Sequence, residues 1–278
     1  MTADQPPILR PKSYGEPSLF EARNLLREGR RQRELPDLPV PPVCLLDPDG
    51  DVVRHLRNAG LATLHTGWAC YHSELWIAHR GEYEVGIVPC AVGAPYAVLV
   101  AEELHASGCE LIVSITSAGR ILPLGELPYF ILIERAWRDE GTSLHYLPPT
   151  EWAHMRPQLV TLLTGAFDGL PEPIRIGRSW TTDAPFRETR NAIAKAEHAG
   201  IHAVEMEAAA LYAYATAQRR DIVCVAHVTN NMATGADDFE KGTENGTYRI
   251  LAVADAVARA WRVDRLRGER ATSDQQPG

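Results

Sequence analysis

The segment Ala203-Val204-Glu205-Met206-Glu207-Ala208-Ala209-Ala210-Leu211-Tyr212 sets two carboxylates one residue apart at the head of an almost wholly apolar run. Met206, Ala209, Ala210, Ala213, Tyr214 and Ala217 recur at helical spacing and predict a helix whose small residues pack close to a sheet. Acids in a first turn complement the helix dipole. That accounts for acidity, but not for a pair flanking Met206 where the helix enters a core. A carboxylate there can accept two hydrogen bonds from a vicinal diol, which is how a ribose presents its 2′ and 3′ hydroxyls. A methionine beside it offers a soft apolar surface to the sugar face.

Further segments carry polar groups at the ends of predicted strands. Ser114-Ile115-Thr116-Ser117-Ala118-Gly119 closes one strand, and Val228-Thr229-Asn230-Asn231 closes another. The Asn230 amide can hydrogen-bond both a carbonyl and an N–H of a base, but it is no general acid near neutral pH. Between them lie Asp139-Glu140-Gly141-Thr142-Ser143-Leu144-His145-Tyr146 and Thr181-Thr182-Asp183-Ala184-Pro185-Phe186. Taken alone, Phe186 reads as core packing; a stacking partner for a ring is the alternative.

In this order the segments resemble the nucleoside phosphorylase superfamily. V-E-M-E-A-A-A-L-Y is similar to the ribose-binding signature of bacterial purine nucleoside phosphorylases, uridine phosphorylases and nucleosidases. The resemblance implies that Met206 and Glu207 touch the ribose, with Glu205 nearby. Ser117, Ala118 and Gly119 then match the G-[ST]-x-G turn beside base and acceptor, although Thr116 replaces its first glycine. The 139–146 segment is similar to the D-G-x-S-x-H stretch of uridine phosphorylases, with Glu140 inserted. Phe186 falls where an aromatic packs on the base, and Asn230 where the leaving base is held, so Glu207 and Asn230 become the expected catalytic pair. The resemblance spans residues 43–261 and carries no cofactor.

The departures bear on the acceptor. Family phosphorylases hold phosphate with a G-D-P-x-R turn, a strand arginine and an arginine lent by a neighbouring subunit. This chain has Leu46-Asp47-Pro48-Asp49-Gly50, Ser114 and Thr66 at those places. A phosphate without guanidinium partners loses its strongest charge-assisted hydrogen bonds. Arg120 or an arginine of the amino-terminal extension is the replacement the sequence offers. The aspartate of the purine-reading V-S-D strand end is Asn230 here, and Thr189 and Arg190 stand where uracil is read. The expectation is therefore cleavage of a nucleoside N-glycosidic bond, with phosphate the family default as acceptor and water favoured by the missing arginines. The alternative is a nucleoside-binding or storage protein of the same fold without catalysis. Family members are homo-oligomers, so a dimer or hexamer is expected.

These residues must be positioned by an α/β scaffold. Residues 43–46, 74–79, 84–90, 110–115, 129–133 and 222–228 read as strands, rich in Val and Ile. Tyr96, Leu99, Val100 and Leu104, and again Ile250, Val253, Val257 and Trp261, repeat at helical spacing. Such alternation predicts a mixed central sheet covered by helices on both faces, with ligands beyond the carboxyl ends of strands. Residues 1–42, rich in proline, read as an extension with one helix whose arginines (Arg23, Arg27, Arg30, Arg31, Arg33) form a solvated face. Residues 43–267 form the domain, and 268–278 a disordered polar tail.

The 278-residue chain is 45% hydrophobic and 23% charged, ordinary for a soluble protein. Its net charge of -8 argues against nucleic acid as a partner. The five cysteines are scattered without C-x-x-C, pointing to a reducing cytoplasm rather than a disulfide framework. Residues 1–12 lack a signal-like apolar core, and the apolar stretch 91–101 is too short to span a membrane. The ten histidines show no metal-ligand spacing, so no metal is expected, and His145 and His227 read as satisfied loop or core histidines. Gly93, ahead of a helix, could face an anion or serve a tight connection.

Overall fold

The computed structural model describes residues 5–231 and 241–273, with side chains of the last helix to residue 267. Among the described residues there are ten strands: β1 (Val43–Asp47), β2 (Ala62–Leu64), β3 (Trp76–Arg80), β4 (Tyr83–Pro89), β5 (Leu111–Arg120), β6 (Tyr129–Asp139), β7 (Trp152–His154), β8 (Ile174–Thr182), β9 (Ala203–Glu205) and β10 (Asp221–Asn231). The helices are α1 (Ala22–Arg33), α2 (Asp51–Asn58), α3 (Ala94–Ala106), α4 (Ser143–Tyr146), α5 (Pro157–Leu162), α6 (Arg190–His198), α7 (Ala208–Gln218) and α8 (Thr247–Ser273).

All strands join one mixed sheet, in the order β10-β6-β8-β9-β5-β1-β4-β3-β2, with β7 beside β6. β10 pairs with β5 as well as β6, so β5, β10, β6, β8 and β9 form a closed ring. β1, β5 and β10 are parallel and buried on both faces, which is why they read as continuous Val, Ile, Leu and Cys runs. α7 packs on α3, α4 and the ring strands, and α8 lies on β5 and α2, so the sheet is covered on both sides. Tyr212 fixes α7 in place: its buried hydroxyl donates to the Ile133 carbonyl at 2.6 Å and accepts from the Cys224 N–H at 3.1 Å.

The α/β architecture expected from the alternation of apolar runs is present, with several local differences. β5 does not stop at residue 115 but runs to Arg120, because Gly119 and Arg120 pair with β9 and β10; the 114–119 segment is strand, not a closing turn. Ala203–Glu205 is strand β9, and α7 starts only at Ala208. The two acids therefore lie in a strand-to-helix connection and not on a helical turn. α8 continues to Ser273, past residue 268 where a polar tail was expected; 274–278 and 1–4 lie outside the described residues.

The extension docks through α1, which buries Leu26 and Gly29 and lies against α3. A Cβ on Gly29 would come within 2.9 Å of the Ala69 carbonyl, so only glycine permits this approach. The arginines of α1 are not one solvated face. Arg33 donates to the Ala69 and Cys70 carbonyls, and Arg30 is largely covered and pairs with Asp37 at 3.2 Å. Arg23, Arg27 and Arg31 are the exposed ones.

Candidate active site

The carboxyl ends of β1, β5 and β10 meet the β9–α7 connection, and the chemistry-bearing residues gather there. Glu205 and Glu207 are both buried, at 3% and 1% exposure, yet they are used differently. Glu205 Oε1 accepts from the Thr181 hydroxyl at 2.5 Å, and Oε2 accepts from the N–H groups of Glu207 and Ala208, each at 2.7 Å. Thr181 Oγ1 in turn accepts from the Ala209 N–H at 2.9 Å. A helix leaves its first N–H groups without internal partners, and here one carboxylate and one hydroxyl take three of them. The Glu205 side chain, expected at the ribose, thus caps the start of α7, and both its oxygens accept hydrogen bonds inside the protein.

Glu207 is held by one oxygen. Its Oε1 accepts from the Gly93 N–H at 2.7 Å, at the start of α3. Gly93 thus faces an anion that the protein itself supplies, and its φ of 87° suits glycine. Glu207 Oε2 is buried and has no hydrogen-bond partner among the described residues. Burial, and then the charge of Glu205, push the Glu207 carboxyl up to about 8; the Gly93 N–H and the Thr116 hydroxyl work against the shift. Met206 between them is half-buried, more open than its neighbours. An unpartnered acceptor thus lies beside a partly open thioether, and such an oxygen can accept a hydrogen bond from a hydroxyl.

A diol donates to the ionised carboxylate and so binds that form preferentially. Nucleoside affinity should therefore rise with pH from 6 towards 9 and level off above about 8. The fall below that point should approach tenfold per pH unit. Titration calorimetry at four pH values checks this; affinity that is flat, or that falls as pH rises, contradicts it.

The remaining expected residues fall around this carboxylate. In β5, Ser117 is partly open, whereas Ala118 and Gly119 are buried. Gly119 pairs with Val204 of β9 and with Asn230 of β10, which brings Asn230 to the same rim; Asn230 is half-exposed. Phe186 is fully exposed on a 3-10 turn, so it is not a core residue. His145 is exposed on α4. His227 is buried and stacks on Phe130 at 4.5 Å, but neither ring nitrogen has a partner among the described residues, contrary to the satisfied core histidine expected. Burial lowers its pKa to about 4, so the ring is neutral.

The positions expected to hold phosphate carry no cation. Gly50 caps α2 at φ 70°, Ser114 is buried on β5 and Thr66 is exposed. Asp47 closes β1, accepts from the Val53 N–H at 3.0 Å, and is pushed up to about 7 by burial. Asp49 accepts from the Ser117 hydroxyl and lies 3.0 Å from Lys241 Nζ. Asp51 lies 2.6 Å from the same ammonium and also pairs with Arg54. Burial would raise Asp51, but Lys241 and then Arg54 outweigh it and hold its pKa down. Lys241 is raised: burial lowers it, and its carboxylate partners prevail. The cations at these aspartates are Lys241 and, on Asp51, Arg54, neither of which a sequence motif marks. Among the described residues no group of three His, Cys, Asp or Glu could hold a metal ion, and no helix is long and apolar enough to cross a membrane.

The model of the phosphorylase superfamily matches residues 42–260. A uridine phosphorylase of Thermococcus kodakarensis is 27% identical over 238 residues, covering 76% of this chain and 84% of that protein. A guanosine phosphorylase of Halorubrum lacusprofundi is 26% identical over 204 residues, covering 70% and 83%. A purine nucleoside phosphorylase of Colwellia psychrerythraea is 25% identical over 164 residues, covering 57% and 70%.

Proposed function

Since this chain belongs to the phosphorylase superfamily, we propose that it cleaves the N-glycosidic bond of a nucleoside, with water as the acceptor. The observation that carries the reading is Glu207: a buried carboxylate with one oxygen fixed by Gly93 and the other without a partner. Relatives named for uridine, guanosine and purine nucleosides support a nucleoside as the substrate class.

In this reading Glu207 accepts the ribose hydroxyls and Met206 covers the sugar. Ser117, Ala118, Gly119 and Asn230 line the base side, and exposed Phe186 lies over the base. The bond from C1′ to the base nitrogen breaks through an oxocarbenium-like state. Holding the diol on a carboxylate stabilises the positive charge that develops on the sugar. Asn230 hydrogen-bonds the departing base. Water adds to C1′, and its proton balances the charge left on the base, giving free base and free ribose.

Support for water comes from Gly50, Thr66 and Ser114, none of which can neutralise phosphate. Taking a dianion into a pocket is costly without cationic donors. A panel of purine and pyrimidine nucleosides, assayed with and without phosphate while free base and sugar product are followed, tests the proposal. Free ribose should be the product, at a rate that phosphate changes little. Ribose 1-phosphate as the main product would overturn the choice of water. Tight nucleoside binding with no turnover on any substrate would instead establish the non-catalytic binding protein, the reading that Asn230, lacking an acidic proton, favours.

A further inference from the structure

We propose that Asp49 is a built-in anion that occupies the acceptor side of the site and selects water over phosphate. The inference rests on the nucleoside-cleaving reading for its product, but not for its binding behaviour. A hydroxyl donor and an ammonium converging on one point form a receptor for an oxyanion. Here the Ser117 hydroxyl and Lys241 Nζ converge on the same oxygen, Asp49 Oδ2, the ammonium at 3.0 Å. The receptor is therefore filled by the chain's own carboxylate.

Its surroundings reinforce the exclusion. Lys241 is also 2.6 Å from Asp51 Oδ2, so its charge is shared between two carboxylates. Asn245 Nδ2 donates to Asp51 Oδ1 at 3.2 Å, and Arg54 pairs with that oxygen too. Asp47 closes the strand two residues before Asp49. An entering phosphate meets these carboxylates with its cation already paired, and like charges at contact distance repel. A neutral water can donate a hydrogen bond to Asp49 without that repulsion. Asp49 also lies on the loop between β1 and α2, with its side chain about a quarter exposed, so solvent reaches it.

The test is inorganic phosphate itself. Phosphate binding is measured by calorimetry, and by thermal midpoint against chloride at equal ionic strength, for the parent, Asp49→Asn and Asp49→Ser. The parent should bind phosphate no better than chloride. Both variants should bind it at least about tenfold more tightly, because one carboxylate charge is gone and Lys241, still paired with Asp51, faces one anion fewer. Adding Ser117→Ala to Asp49→Asn should remove much of the gain. With nucleoside present, part of the product of the single variants should become ribose 1-phosphate. The C1′–N bond breaks, a phosphate oxygen bonds C1′, and the phosphate proton passes to the base.

Equal phosphate affinity in parent and variants would overturn the proposal, as would a parent that already binds phosphate tightly. Loss of nucleoside cleavage in every protein would instead refute the proposed function, and the phosphate titrations would still decide the role of Asp49.

Discussion

Replacing Glu207 by Gln should lower nucleoside turnover by roughly 10²-fold or more, with the fold intact. Gln keeps an oxygen for the Gly93 N–H, so the link between α3 and the β9–α7 connection survives. The second oxygen, buried and unpartnered, becomes an NH₂ that donates where a diol also donates. The charge that would face the developing oxocarbenium is lost as well. Stability should change little near neutral pH, since burial already favours the protonated carboxyl with its pKa of about 8. Steady-state kinetics on the best nucleoside, with denaturant unfolding as control, checks both halves. Unchanged turnover in a folded Glu207→Gln protein would remove the keystone of the functional reading.

Glu205 should respond in the opposite way. Glu205→Leu strands the N–H groups of Glu207 and Ala208 and the Thr181 hydroxyl in a dry interior. Each buried group left unpaired costs about 1–3 kcal/mol, so for the three groups a loss of at least about 3 kcal/mol of stability is expected, read from equilibrium unfolding. Glu205→Gln retains an acceptor for the two N–H groups and should fold. It also removes the charge that helps raise Glu207, so the pH midpoint for nucleoside binding should move below 8. A direct ribose role for Glu205 predicts something else: a stable Glu205→Leu protein with weakened binding and an unmoved midpoint in Glu205→Gln.

The general architecture was legible because β1, β5 and β10 are buried on both faces and so spell continuous apolar runs, while α3 and α8 repeat at helical spacing. β8 was missed because Arg175, Gly177 and Arg178 interrupt its first half, and the sheet, not local propensity, makes it a strand. β9 was read as helix because three residues are too few to show a period of two, and an alanine-rich helix follows at once. Within the site, the special character of Glu207 was visible in its motif. The division of labour with Glu205 was not, because it depends on Thr181 and Gly93; Gly93 lies 114 residues from Glu207. Asp49 drew notice only for the glycine and arginine missing around it. What it holds, the Ser117 hydroxyl and Lys241, lies 68 and 192 residues away in the chain, and no local pattern records that.

The closed ring of strands also bears on how the protein is made. β5 emerges from the ribosome well before β10, one of its two neighbours in the ring and the last strand among the described residues. Until Asp221–Asn231 has been synthesised, β5 and β6 each lack a partner, and the rim that carries Ser117 and Gly119 is half built. Long-range strand pairing of this kind is slow and leaves exposed edges while it waits. The nascent chain therefore carries an open, adhesive barrel from the completion of β5 until β10 inserts as the closing stave.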